Sequence, residues 1–248
     1  MKHQRNCWLV VFLVFNTLLK AQENDSIRSR QFSKSLGIVE MTIPAAMIAY
    51  GVIAAGSDWL NGVDCSFRHD VINNKSAWFD DFIPFAPAVA AFSMDLCGVE
   101  SVHRLPDMFV IYLLSNALES GIVFTMKNVT SRARPDGSNY DSFPSGHTST
   151  AFLAAEFLHQ EYGCKSVWIS ICGYGTATLT GISRIYNNRH WTSDVIAGAG
   201  IGIMSAKLVY LIYPWLRETF CRKDKAPKTL VFPAYANGNF SLNMSYGF

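Results

Sequence analysis

Six apolar segments with few charges dominate the chain: Gly37–Gly56, Phe82–Val99, Met108–Met126, Thr150–Leu158, Val167–Ile182 and Val195–Leu216. Their lengths and their lack of polar–apolar alternation predict helices rather than strands. Half of the 248 residues are hydrophobic and only 16% are charged, against about a quarter in ordinary soluble domains. The expected fold class is therefore all-α, a helical bundle that is polytopic in a membrane. Ala197, Gly198, Ala199, Gly200 and Gly202 recur in the last segment, as expected where helix backbones approach closely in lipid.

Composition shifts divide the chain. Residues 1–22 read as an export signal, with basic Met1-Lys2-His3-Gln4-Arg5, an apolar run from Cys7 to Leu19 and a small-residue cleavage point at Ala21-Gln22. Residues 23–36 are a polar lead-in, and 37–216 hold the apolar helices. Residues 217–248 begin with a basic segment, Arg217, Arg222, Lys223, Lys225 and Lys228, that belongs on the cytoplasmic side. A short C-terminal β-hairpin is expected after it, because Asn237-Gly238 separates two apolar runs. Counting helices back from the basic segment places the loops near 127–147 and 184–194 on the exported face. Counting forward agrees only if one early segment does not cross, and Phe82–Val99, with Pro84, Pro87 and Asp95, is expected to be re-entrant or interfacial.

The remaining composition mostly excludes. A net charge of +2 without a Lys/Arg stripe argues against a nucleic-acid partner. No Cys-x-x-Cys occurs, so neither a zinc site nor a disulfide framework is predicted, and Cys97, Cys164 and Cys172 are expected to be small buried hydrophobes. His69 and His103 sit in polar loops without metal-ligand spacing, scattered Asp64, Asp70, Asp80 and Asp81 read as solvated, and His159 is expected at the surface. Trp78, Trp168, Trp191 and Trp215 suit an interfacial belt. Glu40, Asp95 and Glu119 interrupt apolar segments, which either marks function or a polar interior.

Chemistry concentrates in three blocks: Lys127-x6-Arg134-Pro135, Pro144-Ser145-Gly146-His147 and Ser183-Arg184-x5-His190-x3-Asp194. Hydrolysis of a phosphate ester requires fixed donors around the non-bridging oxygens, where the transition state carries charge. Lys127, Arg134 and Arg184 supply cations for this, although any one alone reads as an interfacial cation. Ser145 and Gly146 open a predicted helix whose free amides and dipole favour an anion. His147 is placed to donate a proton to a leaving oxygen. Asp194 lies four residues after His190, so one turn can bring carboxylate and imidazole together, fix the tautomer and leave the other nitrogen free to attack phosphorus. Each block alone has a bland reading, as an N-cap or a surface pair. The tetrapeptide Pro-Ser-Gly-His by itself recurs by chance about once in 10⁵ positions, so three spaced blocks in order are no coincidence.

The three blocks resemble the signature of the type-2 phosphatidic acid phosphatase superfamily, with every signature position filled. The resemblance covers residues 127–194, and the helical pattern extends it to about 37–216 as a catalytic domain. It implies metal-independent hydrolysis without a cofactor through a phosphohistidine. It also implies His190 as nucleophile, His147 as acid, Asp194 as orienting partner, and Lys127, Arg134, Ser145, Gly146 and Arg184 as phosphate ligands. Asn187-Asn188-Arg189-His190-Trp191 and the Lys20-Ala21-Gln22 ending are similar to exported members from Bacteroidetes-type bacteria, some of which are lipid A phosphatases. The expected partners are thus a phosphorylated lipid, lipid A foremost, and a membrane. The expected location is a bacterial inner membrane with the site facing the periplasm. Alternatives are an isoprenyl or glycerolipid (pyro)phosphate phosphatase, a soluble periplasmic acid phosphatase, a vanadate haloperoxidase, and a non-catalytic membrane protein.

Overall fold

The computed structural model describes residues 39–57, 82–220, 229–236 and 239–246. The expected signal (1–22), the lead-in (23–36), His69, Trp78 and the loop acids Asp64 to Asp81 lie outside the described residues. The first of two compact units runs to Tyr210. Its described residues are all-helical: α1 (Val39–Ala55), α2 (Ala86–Leu96) after a 3₁₀ turn at Ile83–Phe85, α3 (Leu105–Thr130), α4 (Gly146–Tyr162), α5 (Val167–Tyr186) and α6 (Thr192–Phe220), the last running on past the unit boundary.

Local chemistry sets the ends of these helices. Pro87 and Pro106 sit in the first turns of α2 and α3, where a missing N–H costs nothing. Ser131, in the left-handed conformation at φ 43°, ends α3 and turns the chain toward Arg132. Ser166 caps α5 by accepting from the Trp168 N–H at 3.3 Å. Helix α2 has 11 residues, about 16 Å of rise, and is too short by itself to cross a hydrocarbon layer of about 30 Å. Among the described residues two helical stretches are long and apolar enough to cross a membrane, Leu105–Thr130 and Thr192–Arg217.

Helix α4 is the buried axis of the bundle. Leu153, Ala154, Phe157 and Tyr162 are fully buried along it. Small residues let α5 close on α4, with Ala151, Ala155 and Ala177 in one cluster and Phe152 and Tyr174 packed over it. Phe157 stacks with Phe92 of α2 and Tyr112 of α3 at centroid distances of 5.4 and 5.0 Å. Helix α6 approaches through two glycines one turn apart. A Cβ on Gly198 would lie 2.5 Å from the Ser145 carbonyl oxygen, and one on Gly202 would collide with the Ser149 carbonyl.

The two buried carboxylates of α4 are partnered. Buried Glu156 meets Lys207 at 2.9 Å, Lys207 reaches Glu40 at 2.8 Å, and the Tyr174 hydroxyl donates to Glu156. Buried Glu161 accepts from the His103 backbone N–H at 2.9 Å and the Tyr210 hydroxyl at 2.6 Å. Two expectations are corrected. The fourth apolar helix runs on past Leu158 to Tyr162, so His159 is half-buried against Ser170 at 2.7 Å rather than at the surface. Cys97, Cys164 and Cys172 are exposed, not buried. Cys97 and Cys164 occupy turns, and Cys172 lies beside Gly173, whose contact with Leu158 and Ala155 turns the neighbouring position outward. Trp191 is half-buried, with its indole N–H donating to the exposed Ala133 carbonyl at 2.9 Å, while Trp168 and Trp215 are exposed.

The second unit, from Leu211 onward, contains strands β1 (Thr229–Ala236) and β2 (Asn239–Tyr246). They pair antiparallel, with Thr229 opposite Tyr246 and Ala236 opposite Asn239.

The glycine contacts make a direct prediction. Gly202→Ala forces backbone apart and should cost about 1–3 kcal/mol by overpacking. Gly121→Ala on α3, where a Cβ meets nothing within 4 Å, should be neutral or stabilising because alanine is the better helix former. Thermal unfolding of the two purified variants checks this, and equal midpoints would contradict it.

Candidate active site

The alternating direction of the helices brings four ends together: the last turns of α3 and α5 and the first turns of α4 and α6. A cavity of about 430 Å³ opens beside them, between the second half of α3, the start of α4 and the segments carrying Arg134 and His190, lined by Lys127, Arg134, Gly146, His147 and His190 among others. Five of the eight expected site residues thus share one cavity. Ser145, Arg184 and Asp194 are buried and do not line it. Arg184 lies in the last turn of α5, where its carbonyl accepts from the Arg189 N–H at 3.0 Å.

The start of α4 is built as an anion seat. Ser145 is the N-cap, and its hydroxyl pairs with the Thr148 hydroxyl at 2.9 Å. The first-turn N–H groups after it lie outside the intrahelical ladder, at the positive end of the helix dipole. The Ser145 N–H donates to the Asp194 carbonyl oxygen at 3.1 Å, which locks the starts of α4 and α6 together.

His190 is almost fully buried. Its Nδ1 lies 2.7 Å from the Ser142 carbonyl oxygen, which can only accept, so Nδ1 carries the proton and Nε2 keeps its lone pair. The expected direct bond to Asp194 is not what the structure has: the carboxylate lies 3.9 Å from Nδ1. Asp194 acts one step further back. Its oxygens accept from Arg132 Nη1 at 2.6 Å, the Ser142 hydroxyl at 2.5 Å and the Trp191 N–H at 2.9 Å. Arg132 also reaches the Ser193 hydroxyl at 2.8 Å and lies over the Trp191 ring at 5.5 Å. The carboxylate thus fixes Ser142, and the carbonyl of Ser142 fixes the imidazole.

Arg132, Ser142 and Asp141 are site residues that the motif spacing passed over. Arg132 sits inside the six-residue spacer and Ser142 two residues before Pro144. A charged residue within a spacer between two cations was the available signal for Arg132. Asp141 bridges the cationic wall, with Oδ1 at 2.8 Å from Arg134 Nε and its backbone carbonyl accepting from Lys127 Nζ at 2.5 Å.

Burial, and then the nearby charge of Lys127, push the His190 pKa down to about 3, with Arg134 and His147 adding to the effect and the Ser142 carbonyl opposing it. The imidazole is therefore neutral near pH 7. The unfolded chain protonates this histidine near 6.5 and the folded chain does not until about 3. Stability from this group is fully present above pH 6.5 and falls as pH drops through that window. About 2 kcal/mol should be lost between pH 6.5 and 5. His190→Gln should flatten that part of the curve, and the pH dependence of the unfolding midpoint for the two proteins decides it.

With this geometry in hand, comparison with known proteins is specific. Residues 108–218 match the model of the PAP2 superfamily. The chain is 45% identical over 134 residues to a protein of Porphyromonas gingivalis named lipid A 1-phosphatase, a match covering 54% of this chain and 30% of that protein. It is 37% identical over 132 residues to a lipid A 1-phosphatase of Helicobacter pylori, covering 51% of this chain and 65% of the relative. The chain thus spans between about a third and two thirds of the length of these relatives. Among solved structures, a transmembrane PAP2-type phosphatidylglycerolphosphate phosphatase from Bacillus subtilis shares the fold. Its TM-score is 0.50 at 21% identity, covering 71% of this chain and 98% of that one. The matched stretch, residues 108–218, includes helices α4 and α5, most of α3 and α6, and the five expected site residues that line the cavity.

Proposed function

We propose that this protein is a phosphatase that removes a phosphate monoester from an envelope lipid, lipid A being the favoured substrate, without a metal ion or cofactor. The observation that carries the reading is His190, held neutral with Nε2 unprotonated, beside a cavity walled by Lys127 and Arg134. In the first step the Nε2 lone pair forms a bond to phosphorus as the bond from phosphorus to the ester oxygen breaks. The departing oxygen takes a proton from His147. The oxygen of a water then bonds to phosphorus as the bond from phosphorus to Nε2 breaks and returns its electron pair to His190, the water giving a proton to His147 and inorganic phosphate leaving. Lys127, Arg134 and the first-turn amides of α4, with Arg184 behind them, hold the non-bridging oxygens throughout.

A lipid substrate is supported by two observations. The cavity lies at helix ends, where a head group can enter while its chains stay in the bilayer. Large apolar side chains point outward along α3, with Phe109, Leu113 and Phe124 each more than half exposed. The names of the Porphyromonas and Helicobacter relatives favour lipid A among lipids. The basic residues that follow the last helix favour a cytoplasmic position for that end and a periplasmic site.

His190→Ala should lower phosphate release by about 10³-fold or more, and His147→Ala by about 10²- to 10⁴-fold. Activity should survive EDTA and be blocked by vanadate, which mimics pentacoordinate phosphorus. Mass spectrometry of lipid A from a strain lacking the protein should show a gain of one phosphate. An unchanged lipid A profile, with phosphate accumulating instead on an isoprenyl or glycerolipid, would reassign the substrate. Near-normal turnover by His190→Ala would overturn the mechanism. Release of the protein from membranes by carbonate would favour a soluble acid phosphatase.

A further inference from the structure

Of the three carboxylates that interrupt the apolar runs Gly37–Gly56, Phe82–Val99 and Met108–Met126, two have structural work. Glu40 pairs with Lys207 at 2.8 Å, and Asp95 accepts the Ser101 hydroxyl at 2.8 Å to close the turn after α2. Glu119 differs. It is 3% exposed, yet it lines the same cavity as the cations and the two imidazoles. Its carboxylate is met by two serine hydroxyls, the neighbouring Ser120 at a long 3.2 Å and Ser149 of α4.

Helix geometry places it. Glu119, Val123 and Lys127 follow one another at four-residue spacing on α3, and all three line the cavity. Eight residues separate the carboxylate from the ammonium, about 12 Å along the axis. The cavity is therefore polarised: a phosphate end at Lys127, an apolar stretch formed by Val123, Phe85 and Phe124, and an acceptor at Glu119. A phosphate held at Lys127 directs its alcohol portion along this wall. About 430 Å³ accommodates a phosphate together with a ring-sized group. A buried carboxylate facing that group needs hydrogen-bond donors to replace water.

We propose that Glu119 is a specificity-determining residue that accepts hydrogen bonds from hydroxyl or amide N–H groups on the alcohol side of the substrate. It thereby selects phosphate esters of a hydroxylated or amide-bearing ring over simple alkyl phosphates. An uncharged donor fits better than an ammonium, because Lys127 and Arg134 already make the other end of the cavity positive. An alkyl chain in the same place leaves the buried carboxylate with only its two serine hydroxyls, which partly fill the acceptor capacity of two oxygens, and that incomplete pairing disfavours a substrate lacking a donor.

The inference rests on the phosphatase reading, and the test separates the two. Two probes of matched chain length are compared, N-dodecanoylglucosamine 1-phosphate and dodecyl phosphate, with full-length wild type, Glu119→Gln and Glu119→Leu. The kcat/KM ratio between the probes is the readout. Both rates come from one preparation, so a misfolded fraction cancels. Wild type should prefer the glucosamine ester. Glu119→Leu should lower the ratio about 10- to 100-fold, chiefly through KM, and the near-isosteric Glu119→Gln, which keeps an acceptor, should lower it less. A ratio unchanged in both variants overturns this inference and leaves the phosphatase reading standing. A wild type that cleaves neither probe overturns both.

Discussion

The structure turns on one buried carboxylate. Asp194 has no exposed surface, and taking its charge out of water is tolerable only because Arg132, the Ser142 hydroxyl and the Trp191 N–H all donate to it. Those three donors come from the exit of α3, the approach to α4 and the entry to α6. The carboxylate is therefore a joint as well as a charge. Its own backbone carbonyl adds a fourth tie, to the Ser145 N–H. Loosening it would leave Arg132 without its counter-charge and release the Ser142 carbonyl that dictates which imidazole nitrogen of His190 is bare.

This arrangement separates two demands that a simple histidine–carboxylate pair would mix. A carboxylate bonded directly to Nδ1 stabilises the protonated imidazole and raises its pKa. A neutral carbonyl fixes the same tautomer with a weaker pull of that kind. With cations on the cavity wall and little water, His190 stays neutral. The cations themselves need restraint. Asp141 gives Arg134 a partner and offers Lys127 a carbonyl, so two like charges are held side by side at a half-exposed rim.

Legibility in the sequence followed the same division. The helices α3, α5 and α6 are legible because their apolar runs are long, α4 only in part because its run stops at Leu158, and the cavity residues Lys127, Arg134, Gly146, His147 and His190 because the proposed phosphate chemistry would demand those residue types at that spacing. Arg132 and Ser142 were not read, because supporting a carboxylate can be done by many donors and imposes no spacing. Asp194 was read as a residue of the site, but its partner was misassigned: four residues on a helix bring two side chains near, and only the loop ending at Ser142 decides which acceptor reaches Nδ1 first. The exposed cysteines show a related limit. Hydrophobicity places Cys172 in the right helix, but the face is decided by Gly173 against α4.

A second polar layer explains why the first can be so exact in position. Glu156 and Glu161 lie 11 and 16 residues after Ser145, on α4, and are fully buried with Lys207, Tyr174, His103 and Tyr210 as partners. At 1.5 Å per residue these ties sit about 16 to 24 Å down the helix from the anion seat. Between the two layers, α6 meets α4 through Gly198 and Gly202, where only backbone fits. A helix held by polar bonds at both ends and by close packing between them cannot slide or rotate without breaking several contacts at once. The position of His147, one residue into that helix, is thus fixed by groups at its far end as well as by its neighbours. Apolar surface remains on the outside of the bundle, where a bilayer rather than a protein core would cover it.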